Sequence, residues 1–170
     1  MNGRPDKRAI ASWAFYDFAN TIFSMNVISL YFALWVTVDH GGQDILYSIA
    51  LSGSMLAVAI SAPVFGTISD QTGKRRLPLT LLTIVSVLTT ALIGQAEQLW
   101  MGLLLFVIAN YCYQSALVFY NGMLPSVARQ SNVGMISGYG VALGYIGSIA
   151  GLRLVEPFVT DGGRSAAFLP

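Results

Sequence analysis

Residues 66–76 read GTISDQTGKRR: two small residues, a carboxylate, a glycine, then three consecutive cations. This is the composition of a tight turn between two helices. Gly73 permits a backbone shape that a side chain would block. Asp70 closes the element before the turn, and Lys74, Arg75 and Arg76 open the element after it. A carboxylate this close to basic groups and helix ends can pair with them and hold one conformation, as a latch. What the turn connects decides the fold. It is flanked by long apolar runs, 45–68 and 77–94, and a hydrocarbon core about 30 Å thick is crossed by about 20 mostly apolar helical residues.

Working outward, the rest of the chain has the same character. Of its 170 residues 55% are hydrophobic and only 10% charged, with a mean hydropathy of +0.64. A soluble domain carries about 25% charged residues, so this chain has too few to cover a folded surface in water. Three further apolar runs occupy 10–38, 99–120 and 133–159, and residues from about 165 read as the opening of a sixth. Residues 1–9 form a basic N-terminal tail. The first run contains Asp17 and lacks a short apolar core followed by a small-residue cleavage site, so it reads as a retained first span. The reading is an all-α, polytopic membrane protein.

Charge placement orients it. Arg4, Lys7 and Arg8 precede the first span, Lys74, Arg75 and Arg76 follow the second, and Arg129 follows the fourth; only Arg153 and Arg164 of the nine basic residues lie toward the other face. By the positive-inside rule the N-terminus is cytoplasmic. The net charge of +1 suggests no nucleic-acid partner. The lone Cys112 excludes an intramolecular disulfide, and the lone His40, in a Gly-rich loop, reads as a solvated loop residue.

The 66–76 turn resembles the signature loop of the major facilitator superfamily, Gly-x-x-x-Asp-(Arg/Lys)-x-Gly-(Arg/Lys)-(Arg/Lys), which lies between that family's second and third helices. Gly66, Asp70, Gly73, Lys74 and Arg75 match it; Gln71 departs where the family has a cation. Two further stretches, WAFYDFANTIF (13–23) and FYNGMLPSVARQSNVGMISGYGVALGYIGS (119–148), resemble the branch related to autophagy-linked vacuolar amino-acid effluxers. The resemblance implies twelve spans in two six-helix halves, of which this chain is the N-terminal half, with a C-terminal six-helix half as its partner. It also implies a central cavity lined by the first and fourth helices.

The polar residues inside the spans agree with that picture. At 100° per residue, Trp13, Asp17, Asn20, Thr21, Ser24 and Tyr31 fall on one stripe of the first span. Asn110, Tyr113, Gln114, Leu117 and Asn121 share a face of the fourth. Two such amphipathic spans imply a shared polar space. Its amides both donate and accept, which suits a neutral or zwitterionic solute; simple interhelical packing is the competing role for Asn110 and Gln114. A carboxylate facing lipid costs about 2.5–3.5 kcal/mol at a span centre. Asp17 is therefore either a proton-coupling group or a fixed acceptor tying the first helix to a neighbour. In the fifth span Gly140, Gly144, Gly147 and Gly151 recur at a spacing that lets helices approach closely. Arg153 and Glu156, three apart, are placed to pair.

These features point to a secondary transporter of a small polar solute, amino acids leading by resemblance, working by alternating access in the plasma (inner) membrane. An integral-membrane enzyme would need clustered His, Cys or carboxylates, and no such cluster, metal-ligand spacing or phosphate loop is present, so no metal or cofactor is expected. The other class is a packing or regulatory membrane subunit without transport of its own.

Overall fold

The computed structural model describes residues 7–128, 132–163 and 167–168. The expectations for Arg4, Arg129 and Arg164, and for a sixth span opening at Ser165, fall on residues outside that set. Among the described residues five helices are long and apolar enough to cross a membrane. They are α1 (Lys7–Asp39), α2 (Asp44–Thr72), α3 (Arg76–Ile93), α4 (Leu99–Val127) and α5 (Val133–Pro157, helical on to Gly162). Two ends differ from the hydropathy reading. The second helix runs past residue 68 to Thr72, which puts Asp70 inside its last turn. The fourth runs past Tyr120 through Pro125 to Val127, because Gly122 there still packs on its neighbours.

The central element is α4. More than half of its apolar stretch is buried, against 11% for α2 and 17% for α3. The outer helices turn bulky apolar side chains outward instead, such as Ile60 at 70% exposure and Leu81 at 54%. A surface so apolar is stable only against acyl chains or other helices. The protein is a multi-pass membrane protein.

An aromatic column joins α1 to α4. Trp13 stacks on Tyr120 with ring centres 4.7 Å apart, Phe23 meets Tyr113 at 4.7 Å, and Phe32 lies flat on Phe106 at 4.0 Å. Offset stacks of this kind contribute about 0.5–1.5 kcal/mol each beyond area burial. Near the far end Trp35 covers Gly102, where any Cβ would run into its ring, and Phe168 closes over Phe32 and Trp35.

The first helix is not regular throughout. Ser24–Tyr31 and Trp35–Asp39 are π-wound, with the Phe32 N–H bonding the Val27 carbonyl five residues back. This wider winding breaks the 100° arithmetic after Phe23. Tyr31, expected on the polar stripe, is instead buried at 8% exposure in the apolar core. The Tyr47 hydroxyl of α2 donates to the Ile28 carbonyl at 2.7 Å, pinning α2 to the π-wound segment.

The other seams use smaller groups. Against α1, α5 presents its glycines: a Cβ at Gly144 would stand 2.6 Å from Thr21 Oγ1, and one at Gly147 2.6 Å from the Phe18 carbonyl oxygen. The two backbones therefore approach as only glycine allows. Ser86 of α3 donates to the Ala109 carbonyl at 3.0 Å, and Tyr16 of α1 shares a 2.9 Å bond with Thr83 of α3.

Candidate functional site

Three polar nodes sit between the helices. The first centres on Asp17. One of its carboxylate oxygens lies where ideal Cβ atoms at Gly140 and Gly144 would be 3.4 Å away, so the absent side chains make its room. The Tyr120 hydroxyl of α4 donates to the Trp13 carbonyl at 3.2 Å, one helical turn before Asp17 on α1. Trp13 Nε1 reaches back to the Tyr120 carbonyl at 3.4 Å. Thr21 donates to the Asp17 carbonyl at 2.8 Å. The Asp17 carboxyl thus stands on α1 against the glycine face of α5, beside the Trp13–Tyr120 pair.

The second node lies about one turn further along α1. Asn20 Nδ2 donates to the Tyr113 hydroxyl at 3.3 Å, and Ser24 follows one turn later on the same helix. Asn20 and Tyr113 face a cavity of about 110 Å³ bounded by α1, α3 and α4, room for about three waters. Asp17, Asn20, Ser24 and Tyr113 are therefore brought into one polar seam.

The predicted polar face of α4 does not stay together. Asn110 is fully buried on the α2 side, donating to Ser54 Oγ at 2.7 Å, and its own Oδ1 has no partner. Gln114 is partly buried and Asn121 exposed; neither makes a hydrogen bond among the described residues. The correction has a simple cause. Periodicity puts Asn110 and Asn121 near the same angle, but they are eleven residues apart, and only at the Asn110 level does α2 present a hydroxyl, Ser54, to that amide.

At the α2–α3 turn the latch forms around Arg75. Its Nη2 donates to Asp70 Oδ1 at 3.0 Å and its Nε to Ser69 Oγ at 2.9 Å. Gly73 adopts φ +63° and caps α2, its N–H bonding the Ser69 carbonyl at 3.1 Å. A Cβ on Gly122 of α4 would meet Ser69 Oγ at 3.2 Å and Arg75 Nε at 3.3 Å, so the latch rests directly on α4. Gly66 has nothing within 4 Å of an added Cβ, and Lys74 has no carboxylate partner among the described residues. On α5, Gly151 abuts Ile22 and Asn26, and Arg153 lies 3.7 Å from Glu156 with both side chains exposed.

Sequence reasoning missed Tyr120, Ser69 and Ser54. Tyr120 had a signal: it lies seven residues, two helical turns, after Tyr113. The two serines had none, since a serine in an apolar span looks alike whether it packs or bonds. Among the described residues no group of three or more His, Cys, Asp or Glu is placed to hold a metal ion.

Polar nodes held between apolar helices of membrane length, with a charged turn latched onto the central helix, define a polytopic membrane protein. A family model described as "Vacuole effluxer Atg22 like" matches residues 45–135, from the first turn of α2 to the start of α5. The chain belongs to this family. An uncharacterized protein of Aquifex aeolicus (strain VF5) is 32% identical over 170 residues, covering 94% of this chain and 43% of that protein. The uncharacterized MFS-type transporter YxiO of Bacillus subtilis (strain 168) is 30% identical over 148 residues, covering 81% of this chain and 34% of that protein. The chain thus spans less than half the length of these curated relatives. No solved structure matches it.

Proposed function

We propose that this chain forms one helical half of a secondary transporter that moves a small polar solute, amino acids foremost, by alternating access. The observation that carries the reading is the seam of Asp17, Asn20 and Tyr113, a carboxylate, an amide and a phenol gathered between α1 and α4 inside a largely apolar bundle. Such groups are expensive in a membrane and concentrate along solute and ion pathways. The family match and the MFS-type relative support transport rather than catalysis. Gln114 and Asn121 carry amides with no partner among the described residues, which suits contact with a solute or with a facing second set of six helices. Lys7, Arg8 and Lys74–Arg76 lie at one end of the bundle, which supports a cytoplasmic N-terminus. The two bacterial relatives support the plasma membrane rather than a vacuole.

In this reading Asp17 carries the coupled proton. It sits where three helices meet, and moving α5 against α1 along the glycine face changes its surroundings. Asp70, Arg75 and Gly73 hold the cytoplasmic turn in one of the two access states. A specific observation favours the second reading, a packing subunit without transport: Asn20 and Asn110 both already have protein partners. Proteoliposomes containing the full-length protein separate the two. Amino-acid flux driven by a proton gradient, abolished by Asp17→Asn, supports transport with coupling. Undiminished gradient-driven flux in Asp17→Asn removes the coupling role, and inert vesicles from the intact protein favour the packing subunit.

A further inference from the structure

A cavity of about 960 Å³ opens at the end of the bundle that carries the α2–α3 turn, between α1, α3 and α4. Arg8, Lys74, Arg75 and Arg76 all line it, and among the described residues no Asp or Glu does. Asp70 offsets Arg75. Lys74 and Arg76 have no carboxylate partner among the described residues. Lys74 and Arg76, two cations side by side in one recess, repel one another, and the group that relieves the repulsion is an anion. Donors for such an anion include the hydroxyls of Ser12 and Thr80 on facing walls.

The remaining wall is not that of a site for a small hydrated ion. Trp13, Tyr120, Leu79 and Met123 supply an aromatic and aliphatic surface beneath the basic rim. The opening adjoins Leu77, an apolar side chain 66% exposed at the start of α3 and suited to contact with an acyl chain. An inorganic phosphate gains nothing from that surface, whereas a lipid phosphodiester, with glycerol and chains attached, uses both parts. The recess also lies at the end where helix termini and basic residues meet the headgroups. Basic pockets of this kind between membrane helices are suited to acidic lipid headgroups.

We propose that this recess is a binding site for the phosphate of an anionic lipid headgroup, with Lys74 and Arg76 as its principal cations and the Trp13–Tyr120 stack as its apolar floor. Arg75 is shared between this site and the latch, so a bound phosphate becomes a further partner of the guanidinium that holds Asp70 and Ser69. The assignment does not depend on the transport reading: its readouts are lipid retention and thermal stability, not flux.

The test uses the full-length protein, extracted and delipidated, then titrated with phosphatidylglycerol or phosphatidylcholine. Retention is followed by native mass spectrometry and by thermal stability. Phosphatidylglycerol is expected to be retained selectively and to raise the melting temperature. Each basic side chain beside an anionic lipid contributes about five-fold in binding, so Lys74→Gln with Arg76→Gln lowers phosphatidylglycerol affinity about 30-fold. The same pair leaves phosphatidylcholine unchanged, and Lys74→Arg with Arg76→Lys restores binding. Equal retention of the two lipids by the unmodified protein overturns the proposal without reference to any variant. So does a doubly neutralised protein that binds phosphatidylglycerol as tightly as the original. Displacement of the bound lipid by millimolar inorganic phosphate assigns the recess to a soluble phosphate and overturns the lipid assignment.

Discussion

Replacing Gly147 by alanine isolates the contact on which the α1–α5 seam depends. A Cβ there would stand 2.6 Å from the Phe18 carbonyl oxygen and 3.0 Å from Phe18 Cδ2. The first obstacle is backbone, so no rotamer change relieves it, and the two helices must separate by several tenths of an ångström. Overpacking of this kind costs about 1–3 kcal/mol. Against it stands the helix preference of alanine over glycine, about 1 kcal/mol. The same helix contains its own control: an added Cβ at Gly138 meets nothing within 4 Å, so Gly138→Ala collects the helix preference alone. The difference between the two variants is then the overpacking term, about 1–3 kcal/mol. For a chain of this size each kcal/mol moves the melting temperature by about 2–4 °C. Thermal unfolding in one detergent should therefore place Gly138→Ala at or above the parent and Gly147→Ala roughly 2–12 °C below Gly138→Ala. Equal melting temperatures for the two variants would refute the close α1–α5 approach and, with it, the room that the glycines make for Asp17.

Other consequences are smaller or differ in kind. Ser54→Ala removes the only partner, among the described residues, of a buried amide and should cost about 0.6–1.7 kcal/mol, the range for interhelical bonds in membranes; chemical unfolding that shows no loss would mean that Asn110 has another partner. At the latch, Asp70 is 75% exposed, so Asp70→Asn should cost under about 1 kcal/mol, and the loss should shrink in 1 M salt, where screening reaches about 3 Å. Arg75→Lys should cost more than Asp70→Asn in the same melts, because a lysine cannot serve Ser69 and Asp70 together as the guanidinium fork does.

Much of the architecture was legible in the chain because it follows from solvent. A backbone in hydrocarbon must bond to itself, so long apolar runs become helices. The 66–76 turn, Gly73 and the pairing of Asp70 with a nearby cation were readable for the same local reasons. So was the closeness implied by Gly140, Gly144, Gly147 and Gly151, although the partner helix was not. Angular periodicity located polar faces correctly only while the helix was regular and said nothing about what covered them.

The tertiary structure alone decided which helix meets which face, and that is where the site reading changed. Asn110 went to α2 because Ser54 happens to stand opposite it. Tyr31 left the polar stripe when α1 widened into π winding after Phe23. Arg75, rather than Lys74, became the latch because only its guanidinium reaches both Ser69 and Asp70 over Gly122. Local chemistry determines that a segment is helical and which residues share a side, since both depend on neighbours a few positions away. The partner of each side depends on contacts between residues as far apart as Trp13 and Tyr120, and those exist only once the helices have packed.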